Sequence, residues 1–276
     1  KNLGLIFMRQ VALHENYSHF GVSRTLVDAR AFYSNRGIIS CAPLYLYTET
    51  KKEKPLRGGG RAIMMTLFES RPEYMTRRAN LSPAFVAALR EKLGMEFAPD
   101  GKGDLQATFG PEDIFHYIYA VFHAPAYRER YAEFLKTDFP RVPLTSDAEL
   151  FRALAAKGEE LAALHLLESP RLESLITQFP VEGDNEVTKV WYEEPRAGAT
   201  GRVHINKTQY FEGVPPEVWE FQVGGYQVCD KWLKDRKGRS LSAQDIVHYQ
   251  RMIVALKETI RLMEEIDEAI PGWPLP

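Results

Sequence analysis

The feature that most constrains the fold is an aromatic, nearly uninterrupted apolar stretch within residues 110–144, GPEDIFHYIYAVFHAPAYRERYAEFLKTDFPRVPL. Pro111 suits the first position of a helix, because its missing N–H would be unpaired there anyway. Glu112 and Asp113 then meet the positive end of the helix dipole. Residues 114–122 are apolar apart from one histidine. Such a helix is apolar on nearly every side and belongs in a core, so we expect other elements to pack around it.

A second, amphipathic helix is predicted from Pro125 onwards. Its apolar face carries Tyr127, Tyr131, Phe134 and Leu135, and charged residues lie on the other face. The two prolines that follow end it, because a residue before proline avoids the α region.

The remaining patterns predict an α+β fold with β-strands at both ends, a central helical bundle and a long C-terminal helix. Strand patterns occupy residues 3–8, 38–48, 187–192, 202–206 and 218–228, and helix patterns occupy 82–93, 147–167 and about 243–269. They predict four parts: a β-rich first part (1–80), a helical core (81–180), a β-rich second part (181–242) and a C-terminal helix (243–276).

The C-terminal helix should begin with a capping box formed by Ser242 and Asp245. Its apolar residues follow the alternating three–four spacing of a helix-pairing seam. These are Ile246, Tyr249, Ile253, Leu256, Ile260 and Met263. The seam spans under three heptads, so we expect it to pack on another helix of the same protein.

Composition narrows the class of protein. The 276 residues are 45% hydrophobic and 26% charged, which is ordinary for a soluble globule, and no apolar run approaches the ~20 residues of a membrane span. Cys41 and Cys229 are the two cysteines, and two lone cysteines fit a reducing, cytoplasmic setting. The chain starts at Lys1, directly before a strand pattern, so we expect it to be a fragment of a longer polypeptide.

The net charge of −2 differs from the distinctly basic character of a small DNA-binding module. Any contact with nucleic acid must therefore come from cations that are concentrated on one face. The sequence contains two such groups. They are Arg57, Arg61, Arg71, Arg77 and Arg78 in the first, and Lys231, Lys234, Arg236, Lys237 and Arg239 in the second.

Seven short segments carry a resemblance to a known family. In order, they are NLGLI (2–6), APLYLY (42–47), FHYIYA (115–120), YRERY (127–131), DFPR (138–141), GGY (224–226) and KWLKDRKG (231–238). Each segment alone is unspecific, but the ordered combination covers most of the chain. It resembles the C-terminal specificity region of large restriction–modification enzymes, in the type I single-polypeptide family and in related fused methyltransferase–nucleases.

The resemblance implies a bacterial target-recognition domain whose partner is double-stranded DNA. Such a domain would present an adenine for N6 methylation by a methyltransferase domain of the same parent chain. S-adenosylmethionine is implied as the cofactor of that parent enzyme. Specificity subunits of related systems use long helices as spacers, and the resemblance implies a similar role for residues 243–269.

The catalytic motifs of these enzymes do not occur in the sequence. Pro215 and Pro216 are preceded by Val214 and followed by Glu217, unlike the Asp/Asn/Ser-Pro-Pro-aromatic motif of the methyltransferases. Neither a glycine-rich S-adenosylmethionine loop nor a P-loop is present. We therefore expect a non-catalytic fragment without a cofactor of its own.

The histidines do not suggest a metal site. His116 and His123 lie seven residues apart and have no cysteine or acidic partner at ligand spacing. Both are expected to be hydrogen-bonded core histidines.

The residues predicted to bind DNA are Arg57, Arg61, Arg77, Arg78, Lys231, Lys234, Arg236, Lys237 and Arg239. Those in residues 231–239 would lie on a loop leading into a helix and neutralise phosphates. The alternative there is a solvated basic turn anchored by Trp232 and Leu233. Base reading is expected in residues 50–78 and 193–211, where Arg, Lys, Asn and Gln could reach base edges.

Two other functions remain open. One is a helical docking or scaffold module that uses the seam and the aromatic stretch without touching DNA, and scattered arginines would favour it. The other is a complete small enzyme, for which the sequence shows no evident nucleophile–base pair. A deep pocket with convergent polar groups would support that function.

Overall fold

Helix α2 (Pro111–His123) is the element around which the first core forms. Eleven of its thirteen residues are buried, as the apolar stretch predicts. The structure, a computed structural model, describes residues 2–12, 17–34, 37–49, 75–195 and 200–276. Among these residues, no helix is long and apolar enough to cross a membrane.

The other helices surround α2 or follow it. They are α1 (Pro83–Leu93), α3 (Pro125–Arg130), α4 (Ala132–Leu135), α5 (Ala148–His165), α6 (Pro216–Trp219), α7 (Val228–Lys234) and α8 (Ala243–Ala269), with a 3₁₀ turn at Pro170–Glu173. Helix α8 begins with the predicted capping box. Ser242 Oγ accepts from Asp245 N at 3.1 Å, and Asp245 Oδ2 accepts from Ser242 N at 3.0 Å.

The strands form small sheets. They are β1 (Gly4–Met8), β2 (Phe20–Ser23), β3 (Ile39–Pro43), β4 (Tyr45–Glu49), β5 (Met75–Ala79), β6 (Glu96–Phe97), β7 (Thr108–Phe109), β8 (Trp191–Glu193), β9 (Arg202–His204), β10 (Tyr210–Glu212), β11 (Gln222–Val223) and β12 (Tyr226–Gln227). Two antiparallel sheets have the orders β2-β1-β3 and β10-β9-β8, and the pairs are β4–β5, β6–β7 and β11–β12. The α+β class predicted from the sequence is confirmed.

Helix α8 links two hydrophobic cores. The first core contains α2 with Leu262 and Ile266 of α8. The second core is built on β9, β10 and α7, and it contains Tyr249 and Ile253 from the start of α8. The predicted seam is therefore largely buried within this chain.

Helix α5 packs against α2 at Gly158. The sequence predicts a weak point there, because glycine is a poor helix former. The structure gives this glycine a packing role instead, since an added Cβ would overlap the carbonyl oxygen of His116 on α2. The absence of a side chain lets the two helix backbones approach closely.

We predict that Gly158→Ala destabilises the protein by about 1–3 kcal/mol, the usual cost of overpacking. In an unconstrained helix the same change stabilises by roughly 1 kcal/mol, so the sign is diagnostic. Urea denaturation measures the free energy of unfolding. Ala156→Gly is the matched control, because Ala156 is an exposed residue of the same helix and should lose only the helix-propensity term. A stabilised Gly158→Ala protein would contradict the close approach.

The prediction of a single strand over residues 38–48 is wrong, because the segment forms two strands, β3 and β4. The chain changes sheets at Leu44, so β3 pairs with β1 and β4 pairs with β5. Leu44 is buried with Leu3, Tyr45 and Phe115 in a small third cluster. The sequence predicts a single strand because the strand pattern of side chains continues through β3 and β4 without a visible interruption at Leu44.

Two further segments depart from the predicted elements. The helix after Pro125 is interrupted at Tyr131 (φ −103°, ψ 17°), where this side chain packs on Trp273 and Tyr127. The strand expected over residues 218–228 is instead the end of α6, a tight hairpin and the start of α7. Its turn residues Gly224 and Gly225 have φ of 58° and 80°, as a two-residue hairpin turn requires.

A buried hydrogen-bond chain joins α2, α5 and α8. The Tyr119 hydroxyl contacts His165 Nδ1 at 2.5 Å, and His165 Nε2 contacts Thr259 Oγ1 at 2.9 Å. Because Thr259 donates to the Ala255 carbonyl, its oxygen accepts from Nε2–H, and the Tyr119 hydroxyl then donates to Nδ1. Burial lowers the pKa of His165 to about 4.

We predict that this neutral histidine makes stability fall with acid. Its folded-state pKa is below the ordinary value of about 6.5, so its contribution is present above pH 6.5 and is lost as pH falls towards 4. His165→Gln should flatten the decline between pH 6 and 5 by about 1.4 kcal/mol per pH unit. Denaturation at several pH values reports this slope, whatever the absolute stability of the variant. An unchanged slope would show that His165 is already charged in the folded protein.

Candidate nucleic-acid interface

The first predicted group of arginines is described only in part. Arg57, Arg61 and Arg71 lie outside the described residues, as does most of the predicted base-reading stretch 50–78. Arg77 and Arg78 lie on β5, opposite Tyr47 and Leu46 of β4. Successive residues of a strand point to opposite faces, so these two arginines do not share a face.

Arg77 is held between a carboxylate and an aromatic ring. Its Nη2 lies 2.6 Å from Asp100 Oδ1, and its Cζ lies 4.3 Å from the centre of the Tyr45 ring. The bond to Asp100 raises the pKa of Arg77 and lowers the pKa of Asp100. Arg78 is exposed. The charge of Arg77 is thus offset within the protein, whereas the charge of Arg78 is open to solvent.

Three cations of the second predicted group are also paired. Lys231 pairs with Asp235, Lys234 Nζ lies 2.7 Å from Asp230, and Arg236 lies 3.7 Å from Asp245. Lys231 and Lys234 belong to α7 rather than to the expected loop. The two lysine pairs were not predicted because partners four residues apart meet only on a helix, and this segment was expected to be a loop. Arg236 and Asp245 are nine residues apart, and only the folded chain brings them together.

The anchors expected in this segment are present. Leu233 is fully buried and Trp232 packs beside it in the second core. The Trp232 ring stacks on His248 of α8 at a centroid distance of 5.5 Å, and the Arg236 guanidinium covers the Trp232 ring at 3.4 Å. The basic segment is therefore rigidly attached, and the residues beyond Arg236 form its exposed end.

That exposed end meets two other segments through the backbone. Gly238 N donates to the Val187 carbonyl at 2.8 Å, and Val187 N donates to the Arg239 carbonyl at 3.0 Å. Thr188 N donates in turn to the Ile205 carbonyl at 2.9 Å.

These contacts gather four exposed cations, which we call the cationic group. Its members are Lys189, Lys207, Lys237 and Arg239. Within the part of the chain that the structure describes, none has a carboxylate partner within 4 Å. Glu182, Asp184 and Glu186 are the acids on the adjoining segment. Lys189 was missed from the sequence, and Lys207 was covered only as part of the stretch 193–211, because each is isolated among uncharged neighbours. Only the backbone pairing brings them beside residues 237–239.

The sheet β10-β9-β8 begins beside the cationic group. One row across it is Trp191, His204 and Tyr210, and the next is Glu193, Arg202 and Glu212. The intervening row of Tyr192, Val203 and Phe211 packs into the second core. The sheet therefore presents the other two rows on its outer face. Four of their six residues lie inside the predicted base-reading stretch 193–211, and Trp191 and Glu212 lie just outside it.

The side chains of the outer face order one another. Trp191 and His204 stack with parallel rings at 4.3 Å, and His204 Nε2 lies 3.0 Å from Glu193 Oε2. Arg202 Nη2 donates to Glu212 Oε1 at 2.6 Å. The face is consequently a pre-arranged set of flat and hydrogen-bonding groups.

The histidines of α2 lie in the core. His123 is buried, and its Nδ1 lies 2.7 Å from the Tyr119 carbonyl. Burial lowers the pKa of His116 to about 4. Across the described ranges, no group of three or more His, Cys, Asp or Glu residues could hold a metal ion.

A cavity of about 340 Å³ lies between the two cores. Apolar side chains make up most of its wall, and Tyr119, His165 and Thr259 of the buried hydrogen-bond chain also reach it. These polar groups are engaged with one another, which fits a structural role better than a catalytic one.

Comparison with known proteins identifies the family. Residues 1–265 match the family described as the Type ISP C-terminal specificity domain. The chain therefore belongs to that family and is a specificity domain of restriction–modification enzymes. None of the curated proteins searched matches the chain.

Solved structures share the fold. The chain is similar to the ATP-dependent Type ISP restriction–modification enzyme LlaBIII bound to DNA, with 18% identity and a TM-score of 0.65 over 100% of this chain and 16% of that one. A nuclease-deletion mutant of the Type ISP restriction–modification enzyme LlaGI, in complex with a DNA substrate mimic, has 16% identity and a TM-score of 0.59. The match covers 100% of this chain and 18% of that one. The chain is also similar to the DrdV–DNA complex, with 21% identity and a TM-score of 0.63 over 96% of this chain and 25% of that one. The chain thus spans a quarter or less of the length of these enzymes.

Proposed function

We propose that this chain binds double-stranded DNA and recognises the target site of a restriction–modification enzyme. In a longer parent enzyme it would position an adenine for N6 methylation by a methyltransferase domain that uses S-adenosylmethionine. The chain itself would contribute binding and not catalysis. Family membership supports this proposal, as do the DNA-bound enzymes that share the fold.

The observation that carries the proposal is the cationic group. The charged surface elsewhere is extensively paired, as at Arg24–Glu168, Arg77–Asp100 and Lys157–Glu265. Phosphate binding gains its free energy by releasing counterions, and a cation that is already neutralised by a carboxylate contributes little to it. Lys189, Lys207, Lys237 and Arg239 are therefore the strongest phosphate contacts of this surface.

The docking alternative loses its main support. Tyr249, Ile253 and Leu256 of the seam are buried in the second core, so they are not available to a partner. The aromatic stretch of α2 is likewise buried. A docking module would need another surface.

We predict salt-sensitive binding of the chain to duplex DNA. The double variant Lys237→Gln/Arg239→Gln should bind more weakly and should lower the steepness of log K against log salt by about 1.8, since each phosphate contact contributes roughly 0.9. Fluorescence anisotropy with a labelled duplex at 50–200 mM salt measures both quantities.

The matched control is Lys231→Gln/Lys234→Gln, which removes the same net charge from two paired lysines of α7. It should change the slope little. An equal effect of the two double variants would show that net charge, and not the cationic group, governs binding. No binding of the unmodified chain at 50 mM salt would contradict the proposed function.

A further inference from the structure

Arg202 is held in a fixed orientation on the outer face of the sheet β10-β9-β8. Its Nε and Nη2 both donate to Glu212 Oε1, at 2.9 Å and 2.6 Å. Its Cζ lies 4.6 Å from the centre of the Tyr210 ring. The carboxylate and the ring together fix the plane of the guanidinium, while 35% of the arginine side chain stays exposed.

This arrangement leaves one edge of the guanidinium open. Glu212 occupies the edge formed by Nε and Nη2, so Nη1 and the second hydrogen of Nη2 remain as two parallel donors. Two parallel donors match the O6 and N7 acceptors of guanine in the major groove. They also match two oxygens of a phosphate, so the surroundings must decide between the two ligands.

The charges around Arg202 favour a base. Glu193 and Glu212 flank Arg202 in the same row of the sheet, so the row carries two carboxylates for one cation. A phosphate brought to this row would meet two negative charges at short range. A base edge is neutral and would meet no such repulsion.

The position of the row fits the groove. Three strands span about 10 Å, since neighbouring strands lie roughly 4.8 Å apart, and the major groove is about 12 Å wide and 8.5 Å deep. Lys189 precedes Trp191 on the same face, with its Nζ 5.6 Å from the Trp191 ring centre. Glu193 of the Arg202 row lies four residues after Lys189, and the strand β8 begins only at Trp191, so the row lies at most about 13 Å beyond Lys189. Cations at the groove edge and Arg202 inside it are compatible with these dimensions.

We propose that the outer face of this sheet enters the major groove and that Arg202 reads a guanine of the target site. Glu212 and Tyr210 are positioning residues, because they orient the guanidinium without touching the base. This inference rests on the proposed function and names the residue that supplies part of its specificity. Arg77 has a similar carboxylate and ring, but it lies in a different sheet from the one beside the cationic group.

The test is selection of bound duplexes from a random-sequence library, followed by sequencing. The proteins compared are the unmodified chain, Arg202→Lys, Glu212→Gln and Arg251→Gln. Lysine keeps the charge of Arg202 but loses its two-pronged edge. Arg251 is the matched control, because it is 40% exposed and lies 2.9 Å from the carboxylate of Glu173, away from the sheet.

The unmodified chain should enrich a motif that contains at least one guanine. Arg202→Lys should lose roughly 5- to 150-fold of the preference at one guanine position, with the other positions kept. Glu212→Gln should weaken the preference at that same position, which a purely structural role would not select. Arg251→Gln should enrich the unmodified motif.

Two outcomes would overturn the inference while leaving the proposed function intact. In one, Arg202→Lys enriches the full motif, so that the two parallel donors of Arg202 are not what reads a base. In the other, every sequence is bound more weakly to the same degree, so that Arg202 contacts a phosphate. If the unmodified chain binds no duplex at all, the proposed function itself fails.

Discussion

The close approach of α5 to α2 at Gly158 is the contact on which the rest of the structure depends. It buries the side of α2 that faces α5 and places His165 of α5 within reach of Tyr119. The same histidine binds Thr259 of α8, so the third helix is fixed by the packing of the first two. Because α8 also supplies Tyr249 and Ile253 to the second core, the recognition surface inherits its position from this helical packing.

That surface shows why net charge was a poor guide to function. A net charge of −2 does not indicate that a chain contacts phosphates. In the folded protein many cationic side chains form ion pairs with nearby carboxylates. Three of the five cations in residues 231–239 do so. Other cations that the structure describes stay unpaired, such as Arg78, Lys92 and Lys257. Backbone pairing brings four of the unpaired cations to one end of a small sheet. Under the proposed function, location and pairing determine, more than total charge, which lysines and arginines can bind DNA phosphates.

The sequence predicted elements whose signals are local. The start of α2 at Pro111 and the capping box at Ser242 follow from a few adjacent residues. The predictions from sequence were wrong where contacts between residues distant in the chain determine the structure. The change of sheet at Leu44 depends on a buried cluster, and Gly158 has meaning only beside His116.

The candidate site divides in the same way. Lys237 and Arg239 could be predicted from a local run of basic residues. Lys189 could not, because its significance comes from neighbours distant in sequence. Arg202 and Lys207 fall inside the predicted base-reading stretch 193–211, but no local pattern singles them out. The pairing of Lys234 with Asp230 was in principle predictable, since it needed only the recognition that residues 228–234 are helical. Arg57, Arg61 and the base-reading role of residues 50–78 and 193–211 stay predictions.

Lysine reactivity towards an acetylating reagent, read by mass spectrometry with and without duplex DNA, tests the central claim most directly. The account predicts that Lys189, Lys207 and Lys237 become protected when DNA is bound, while exposed Lys92 on α1 and Lys257 on α8 react as before. Bound DNA that leaves those three lysines fully reactive would contradict it.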